Sequence, residues 1–111
     1  MVKKFNRSEL ELIINHYLNS LKDQMTINKA ILFGSYAKGT ATELSDIDLF
    51  IISEDLPKNK LKGSNGYFLD QLVGDVNPSL EVIAIHPDDL SSDEVSRGLY
   101  EEIFKTGIQL V

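Results

Sequence analysis

Residues 32–52, LFGSYAKGTATELSDIDLFII, decide how this chain folds. The stretch begins with an apolar segment that Gly34 interrupts, and it ends with four consecutive apolar residues, 49–52. Short apolar runs that are bounded by glycine or by polar turns are typical of buried β-strands. We therefore predict one strand over 29–33 and another over 46–52, joined by a polar connection that opens with a tight turn.

Amphipathic patterns outside this stretch predict the remaining elements. Apolar residues at three- and four-residue spacing indicate a helix over 8–24, with Ser8 and Glu11 as its capping box. A second capping box, Ser91 with Glu94, predicts the start of a later helix. The other predicted elements are a surface loop over 53–64, a short helix over 67–73 that Gly74 ends, a strand over 80–85, the later helix through Val95, Leu99, Ile103 and Phe104 to Gly107, and a short strand over 108–111. The alternation indicates an α/β (α+β) fold with helices packed against one small sheet.

Length and composition limit what the chain can be. With 111 residues it is long enough for one hydrophobic core, and we predict a single domain over 1–111. Seventeen acidic residues exceed eleven basic ones, and the net charge of -6 argues against direct binding to nucleic acid. The absence of cysteine excludes disulfides and thiolate chemistry. No apolar run approaches the roughly 20 residues of a membrane-spanning helix, so we expect a soluble cytoplasmic domain.

Two acidic residues open the second predicted strand. Asp46 and Asp48 are two positions apart, and alternate residues of a strand project from the same face of a sheet. Two carboxylates held side by side repel each other, and a divalent cation would relieve that repulsion. Mg²⁺ prefers such hard oxygen ligands and commonly binds through one or two carboxylates together with substrate phosphates. The pair therefore predicts a magnesium site.

A phosphate-binding turn is predicted upstream of the two acids. Gly34 and Ser35 follow the first predicted strand, where we expect the chain to turn tightly into a helix. Glycine lets the backbone approach a phosphate closely, and the exposed N–H groups and the Ser35 hydroxyl are hydrogen-bond donors. A phosphate cradle next to metal-binding acids is the combination that nucleotide chemistry needs.

A third carboxylate is expected to complete the arrangement. Glu81 is our candidate because it interrupts an otherwise apolar predicted strand. A carboxylate buried there alone would be costly, so it should find a cation or hydrogen-bond donors. Facing the aspartates, it would hold a metal ion and accept the proton of an attacking hydroxyl. Two alternatives stay open: Glu81 faces water at a strand edge, or Asp70 or Asp75 takes the role.

The motif that these residues form resembles that of a known family. It consists of Gly34-Ser35, ten intervening residues and then Asp46-Ile47-Asp48. This pattern is similar to the signature of the polymerase-beta-like nucleotidyltransferases. In particular, the chain resembles the minimal nucleotidyltransferases, small bacterial proteins encoded beside HEPN-domain partners, over nearly its whole length. The resemblance implies a mixed sheet, a pair of Mg²⁺ ions and ATP as substrate. It also implies transfer of AMP to a hydroxyl of the partner, as an antitoxin that silences a HEPN ribonuclease toxin.

The resemblance also implies a role for each site residue. The turn at Gly34-Ser35 would hold the outer phosphates of ATP, with Lys38 as the basic residue after the turn. The metal ligands and catalytic carboxylates would be Asp46, Asp48 and Glu81. Lys38 keeps the charge of the arginine that is common at its position, without the forked geometry of that side chain. Whether Lys38 touches phosphate or lies on the surface stays open.

Three functions are compatible with this motif. The first is magnesium-dependent transfer of AMP from ATP to a partner protein, which supplies the acceptor that so short a chain has no room to enclose. The second is a noncatalytic antitoxin that neutralises its partner by occlusion. The third is a small-molecule nucleotidyltransferase whose acceptor pocket is completed by homodimerisation. We predict the first.

Overall fold

A four-stranded sheet is the centre of the fold in the computed structural model, which describes residues 4–58, 64–74 and 76–111. The helices are α1 (Arg7–Lys22), α2 (Gly34–Lys38), α3 (Ser64–Val73), α4 (Asp89–Ser92) and α5 (Arg97–Thr106). The strands are β1 (Lys29–Phe33), β2 (Ile47–Ile52), β3 (Leu80–Ile85) and β4 (Ile108–Gln109). The predicted fold class is confirmed. β1 and β3 have their predicted bounds, whereas β2 and β4 are shorter than predicted.

The sheet is mixed, with the order β3-β2-β1-β4. β1 pairs antiparallel with both β2 and β4, whereas β2 and β3 are parallel. A parallel pair needs a crossover connection, and α3 lies in the segment between these two strands. Because β1 runs opposite to β2 and β3, its end lies at the same end of the sheet as the beginnings of the other two.

Helices cover both faces of the sheet because β2 projects successive side chains to opposite sides. On one face, Leu49 and Ile51 of β2 belong to a buried cluster with side chains of α1 and α3, among them Tyr17. On the other face, Phe50 belongs to a second cluster with Tyr100 of α5, and the centroids of the two rings are 5.5 Å apart. The strand is therefore buried on both sides, which explains why it appears in the sequence as an uninterrupted apolar run.

The first helix begins one residue before its predicted start, and the predicted capping box is wrong. Asn6 is the N-cap: its side chain accepts a hydrogen bond from Glu9 N–H (2.9 Å), and the Glu9 carboxylate accepts one from Asn6 N–H (3.0 Å). Ser8 and Glu11 lie inside the helix instead. Asparagine caps a helix as well as serine does, so the two overlapping patterns compete. Among the described residues, no helix is both long and apolar enough to cross a membrane.

The capping box predicted at Ser91 and Glu94 is also wrong. Ser91 lies within the short helix α4, and α5 begins only after a turn. In this turn Asp93 accepts a hydrogen bond from Tyr100 OH at 2.8 Å. Val95, expected on a buried helix face, is 94% exposed as a result. A capping pattern is local in sequence, whereas this turn depends on the buried Tyr100 in the following helix. The predicted end of that helix at Gly107 is confirmed.

Parts of two predictions lie outside the described residues. Of the surface loop predicted over 53–64, residues 59–63 are not described, and neither is the alternative third acid Asp75. The helix predicted over 67–73 is α3, which begins three residues earlier. Gly74, which was predicted to end this helix, directly follows the last residue of α3. Its φ angle is +82°, a conformation that glycine adopts readily.

Candidate active site

The predicted acidic pair lies at the end of the sheet where β2 begins. Asp46 is exposed and directly precedes β2. The predicted strand, which began at Asp46, is therefore one residue too long. Asp48 is the second residue of the strand and is half-buried. Ile47 between them is fully buried and belongs to the cluster beneath α1 and α3. Asp48 therefore projects to the opposite face, on which α5 packs.

Glu81 lies directly beside Asp48. The parallel register of β2 and β3 pairs these two residues, and paired residues of neighbouring strands project from the same face of a sheet. On the other side, β1 contributes Phe33 as the antiparallel partner of Asp48. Glu81 is exposed because β3 is an edge strand, so the expectation that burial would force it to find a partner is wrong. The register, rather than burial, brings Glu81 to Asp48.

Negative charge is concentrated around the Asp48 carboxyl group. The pKa of this group is raised to about 6, first by its partial burial and then by the negative charges of Glu81 and Asp46. The charged form is disfavoured both because water is partly excluded and because like charges are near. A proton or a cation would stabilise this arrangement.

The turn after β1 packs against Asp48. Gly34, the first residue of α2, has a φ angle of +74°, which glycine adopts without the steric penalty that other residues meet. A Cβ atom added to Gly34 would overlap Asp48 Oδ2. Ser35 follows as the second residue of α2 and is half-buried. The turn and the carboxylate, which the sequence predicts as separate features, thus lie against each other.

Gly34→Ala should lower the free energy of unfolding more than the matched control Gly39→Ala. Both glycines have a positive φ angle, so alanine at either position costs about 1 to 2 kcal/mol of backbone strain. Around Gly39 a new methyl group would meet nothing within 4 Å, whereas at Gly34 it would meet the Asp48 carboxylate. We expect a further loss of about 1 to 3 kcal/mol for Gly34→Ala, measured by urea denaturation. Equal losses for the two variants would contradict the close packing of the turn on Asp48.

Asp48→Asn should stabilise the ligand-free protein near neutral pH. Because the pKa of Asp48 is raised in the folded state, its charged form opposes folding above about pH 6. The destabilisation decreases as the pH falls through the folded pKa, and it vanishes below the unfolded pKa near about 4. Solvent screening of this half-buried group limits the effect to about 1 kcal/mol, or roughly 4 to 8 °C in Tm.

Thermal unfolding at a series of pH values checks this prediction. The Asn variant should be the more stable protein at about pH 8 and equal to the wild type at about pH 3. A stability difference that does not decrease on acidification would show that the Asp48 charge is not its source.

Lys38 is directed toward α5. Its Nζ lies 3.6 Å from Glu102 Oε1, and both side chains are about half exposed. Exposed ion pairs of this kind contribute at most about 1 kcal/mol, so either side chain can exchange its partner at small cost. The contact with phosphate that the sequence suggests for Lys38 stays a prediction.

The alternative third acid Asp70 lies on the other side of the sheet. Tyr17 OH donates a hydrogen bond to Asp70 Oδ1 at 3.3 Å, and Tyr17 belongs to the cluster beneath α1 and α3. Burial raises the pKa of Tyr17, and the Asp70 charge and this hydrogen bond raise it further. Asp70 therefore has a structural partner away from Asp48.

Two of the cavities among the described residues lie away from the carboxylates, and both are larger than a cavity lined by residues of α4 and α5. One, of about 410 Å³, lies between α1 and the segment before β3, and Leu12 and Pro78 are among its lining residues. The other, of about 690 Å³, is lined by residues of α1, α2 and β4, including Tyr36. Neither is lined by the three candidate carboxylates. The candidate site is therefore defined by charge and strand register and not by these two cavities.

The carboxylates suit a hard divalent cation, although they are not a complete metal centre by themselves. Asp46, Asp48 and Glu81 supply only oxygen donors. Burial and then the repulsion among these carboxylates raise the pKa of Asp48, and Mg²⁺ would relieve the repulsion. Across residues 4–58, 64–74 and 76–111, no group of three or more His, Cys, Asp or Glu is arranged to hold a metal ion. Because Mg²⁺ commonly keeps water and substrate phosphates among its ligands, an incomplete set of protein ligands fits this ion.

Comparison with known proteins agrees with the fold and the motif. A family model described as a nucleotidyltransferase domain matches residues 14–103. "Putative protein adenylyltransferase MJ1305" of Methanocaldococcus jannaschii is 43% identical over 54 residues, which are 47% of this chain and 37% of that protein. "Putative protein adenylyltransferase MJ1379" of the same organism is 28% identical over 101 residues, which are 86% of this chain and 93% of that protein. "Protein adenylyltransferase MntA" of Thermococcus cleftensis is 33% identical over 49 residues, 44% of this chain and 50% of that protein.

Two crystal structures share the fold. One, of a "putative nucleotidyltransferase from Sulfolobus solfataricus", has a TM-score of 0.58 at 14% identity and matches 90% of this chain and 77% of that chain. The other, of a "toxin-antitoxin with AMP-PNP", has a TM-score of 0.55 at 22% identity and matches 87% of this chain and 71% of that chain. At such identities the likeness shows the fold alone.

The mixed four-stranded sheet with helices on both faces places the chain in the α/β (α+β) class that these structures share. The family match extends over more than half of the sequence, so the chain belongs to the nucleotidyltransferase domain family. The resemblance to the polymerase-beta-like nucleotidyltransferases that the motif indicates is confirmed at this level. The chain spans only 37% and 50% of the length of two of these three relatives.

Proposed function

We propose that this chain is an enzyme that transfers AMP from ATP to a hydroxyl group of a partner protein. The observation that carries the proposal is the register of Asp48 with Glu81, beside the turn at Gly34. It joins carboxylates from two strands to a backbone turn at one end of the sheet. Membership of the nucleotidyltransferase domain family supports nucleotidyl transfer as the reaction. The relatives named as protein adenylyltransferases support AMP as the transferred group and a protein as the acceptor.

The reaction is a displacement at the α-phosphorus of ATP. The acceptor oxygen forms a bond to this phosphorus, and the bond from the phosphorus to the oxygen that bridges to the β-phosphate breaks. Pyrophosphate leaves with the bonding electron pair, and the hydroxyl proton passes to a base. Glu81 is the candidate base because it is exposed and lies beside Asp48. The products are the AMP ester of the acceptor, pyrophosphate and one proton.

The side chains of the site would position the reactants. Asp46, Asp48 and Glu81 would hold a pair of Mg²⁺ ions, which when bound neutralise the charge that develops on the phosphates. The N–H groups at Gly34 and the hydroxyl of Ser35 would donate hydrogen bonds to the outer phosphates. Lys38 would leave its ion pair with α5 to contact the same phosphates.

The acceptor would arrive on a second protein in the cytoplasm, and we propose a HEPN-domain toxin for which this chain is the antitoxin. One relative is named MntA, and one structure with this fold is a toxin–antitoxin with AMP-PNP. The exposure of Asp46 and Glu81 supports this proposal, because a partner can reach both side chains directly. The HEPN identity of the partner rests on the resemblance of the motif.

Label transfer from ATP tests the proposed reaction. The chain is incubated with a HEPN-domain partner, Mg²⁺ and ATP that carries the label on either the α- or the γ-phosphate. We expect the partner to be labelled from the α-position and not from the γ-position, because pyrophosphate removes the γ-phosphate. Chelation of Mg²⁺ should stop the labelling. Label from the γ-position, or no label in a complex that forms, would contradict AMP transfer.

A further inference from the structure

Leu44 is an exposed apolar side chain next to the candidate site. It lies in the connection between α2 and β2, two residues before Asp46, and is 86% exposed. Single exposed apolar residues are common on protein surfaces, so exposure alone assigns no role to Leu44. Its position beside the catalytic carboxylates is what distinguishes it.

A hydrogen-bonded turn presents Leu44 to solvent. Ser45 N–H donates to Thr42 O at 3.1 Å, and Thr42 N–H donates to Ser45 Oγ at 2.9 Å. Leu44 N–H donates to Thr42 Oγ1 at 3.2 Å. The backbone on both sides of Leu44 is therefore held by its own neighbours, and the side chain extends away from them into solvent.

A protein acceptor whose interface is centred on the carboxylates would cover this side chain. Two residues span at most about 7 Å along the chain, so Leu44 is close to Asp46. A protein partner buries roughly 800 Å² on each side of a stable interface, which is a patch many times wider than that separation. A protein centred on the carboxylates would therefore reach Leu44, whereas a small molecule has no need to.

The charge around Leu44 indicates what kind of surface fits there. Glu43 precedes it, is exposed and is not among the proposed metal ligands. The chain as a whole carries a net charge of -6. A partner surface that complements this rim carries basic side chains, with an apolar contact where Leu44 lies.

We propose that Leu44 is a docking residue for the acceptor, and that the acceptor presents its hydroxyl beside an apolar side chain and basic side chains. The inference rests on the proposed AMP transfer and adds the chemical class of the acceptor. Leu44 is absent from the site predicted from the sequence. The sequence does carry one sign of it, because Leu44 is the one large apolar residue in the otherwise polar connection between α2 and β2.

The test uses synthetic peptides as acceptors and two matched variants of the chain. Each peptide contains one tyrosine and one serine, and the flanking residues are lysine with leucine, lysine with glycine, or glutamate with leucine. The variants are Leu44→Ser and the control Val95→Ser, which removes an apolar side chain of similar exposure from the turn between α4 and α5. Labelling from α-labelled ATP is measured as kcat/KM, and calorimetry measures binding of ATP with Mg²⁺.

The wild type should label the lysine–leucine peptide in preference to the other two. Leu44→Ser should lower kcat/KM for this peptide by about tenfold, to the level of the lysine–glycine peptide, with nucleotide binding unchanged. Val95→Ser should behave as the wild type.

The inference is overturned if Leu44→Ser labels the lysine–leucine peptide as well as the wild type does. It is also overturned if the glutamate peptide is labelled equally well, or if a wild type that binds nucleotide labels no peptide. A wild type that binds no nucleotide contradicts the proposed function itself.

Discussion

Asp48→Asn should abolish AMP transfer while leaving the protein folded. The amide keeps the shape of the side chain but removes the negative charge that would bind Mg²⁺, and we expect the rate to fall by at least about 10³-fold. Asp46→Asn should have an effect of the same order. Rates are measured by transfer of label from ATP labelled at the α-phosphate. Because Asp48→Asn should also stabilise the ligand-free chain, its inactivity cannot be attributed to unfolding.

Asp70→Asn is the matched control for this prediction. It makes the same chemical change at a half-buried carboxylate, and the amide oxygen can still accept the hydrogen bond from Tyr17. We expect the rate of this variant to stay within about twofold of the wild type, because Asp70 lies on the other face of the sheet. An active Asp48→Asn variant would contradict the proposed site. A double variant of Asp46 and Asp48 to asparagine separates AMP transfer from the noncatalytic alternative. If this variant still binds the toxin and still protects against it, the antitoxin acts by occlusion.

Phe50→Ala should cause a large loss of stability. Phe50 is 0% exposed in the centre of β2, and its ring centroid is 5.5 Å from that of Tyr100 and 6.0 Å from that of Phe104. Removal of the ring leaves a cavity between the sheet and α5, at a cost of about 3 to 5 kcal/mol. This is a large part of the stability of a small domain, and Tm should fall by more than about 10 °C. Thermal unfolding followed by circular dichroism measures the change.

Leu12→Ala is the control for the truncation of a large apolar side chain. Leu12 is 72% exposed on α1, so its loss should change the free energy of unfolding by less than about 0.5 kcal/mol. A Phe50→Ala protein that loses less than about 1 kcal/mol would show that the packing of α5 on β2 is looser than the structure indicates.

The strands could be predicted from the sequence, whereas the starts of α1 and α5 could not. The apolar run of β2 is buried on both faces, so its signal does not depend on register or on neighbouring elements. The start of α1 depends on a choice between two overlapping capping patterns, one from Asn6 and one from Ser8, and the local sequence supports both. The start of α5 depends on a turn in which Asp93 accepts a hydrogen bond from Tyr100, a contact between residues seven positions apart.

The features of the candidate site that depend only on neighbouring residues could be predicted from the sequence. The spacing of Asp46 and Asp48 and the glycine at the turn could be interpreted directly. The neighbour of Asp48 could not be fixed, because the parallel register that brings Glu81 beside it joins segments separated by α3. The exposure of Glu81 follows from the position of β3 at the edge of the sheet, and strand order is a property of the whole fold. The packing of Gly34 on Asp48 is a tertiary contact of the same kind.

Calorimetry of nucleotide binding tests most directly whether the three carboxylates form one magnesium–nucleotide site. The chain is titrated with a nonhydrolysable ATP analogue, with and without Mg²⁺, and the titration is repeated for Asp46→Asn, Asp48→Asn and Glu81→Gln. We predict binding by the wild type only when Mg²⁺ is present, and affinity at least about tenfold weaker in each variant. Binding that does not need Mg²⁺, or variants that keep the affinity of the wild type, would contradict a shared site of these carboxylates.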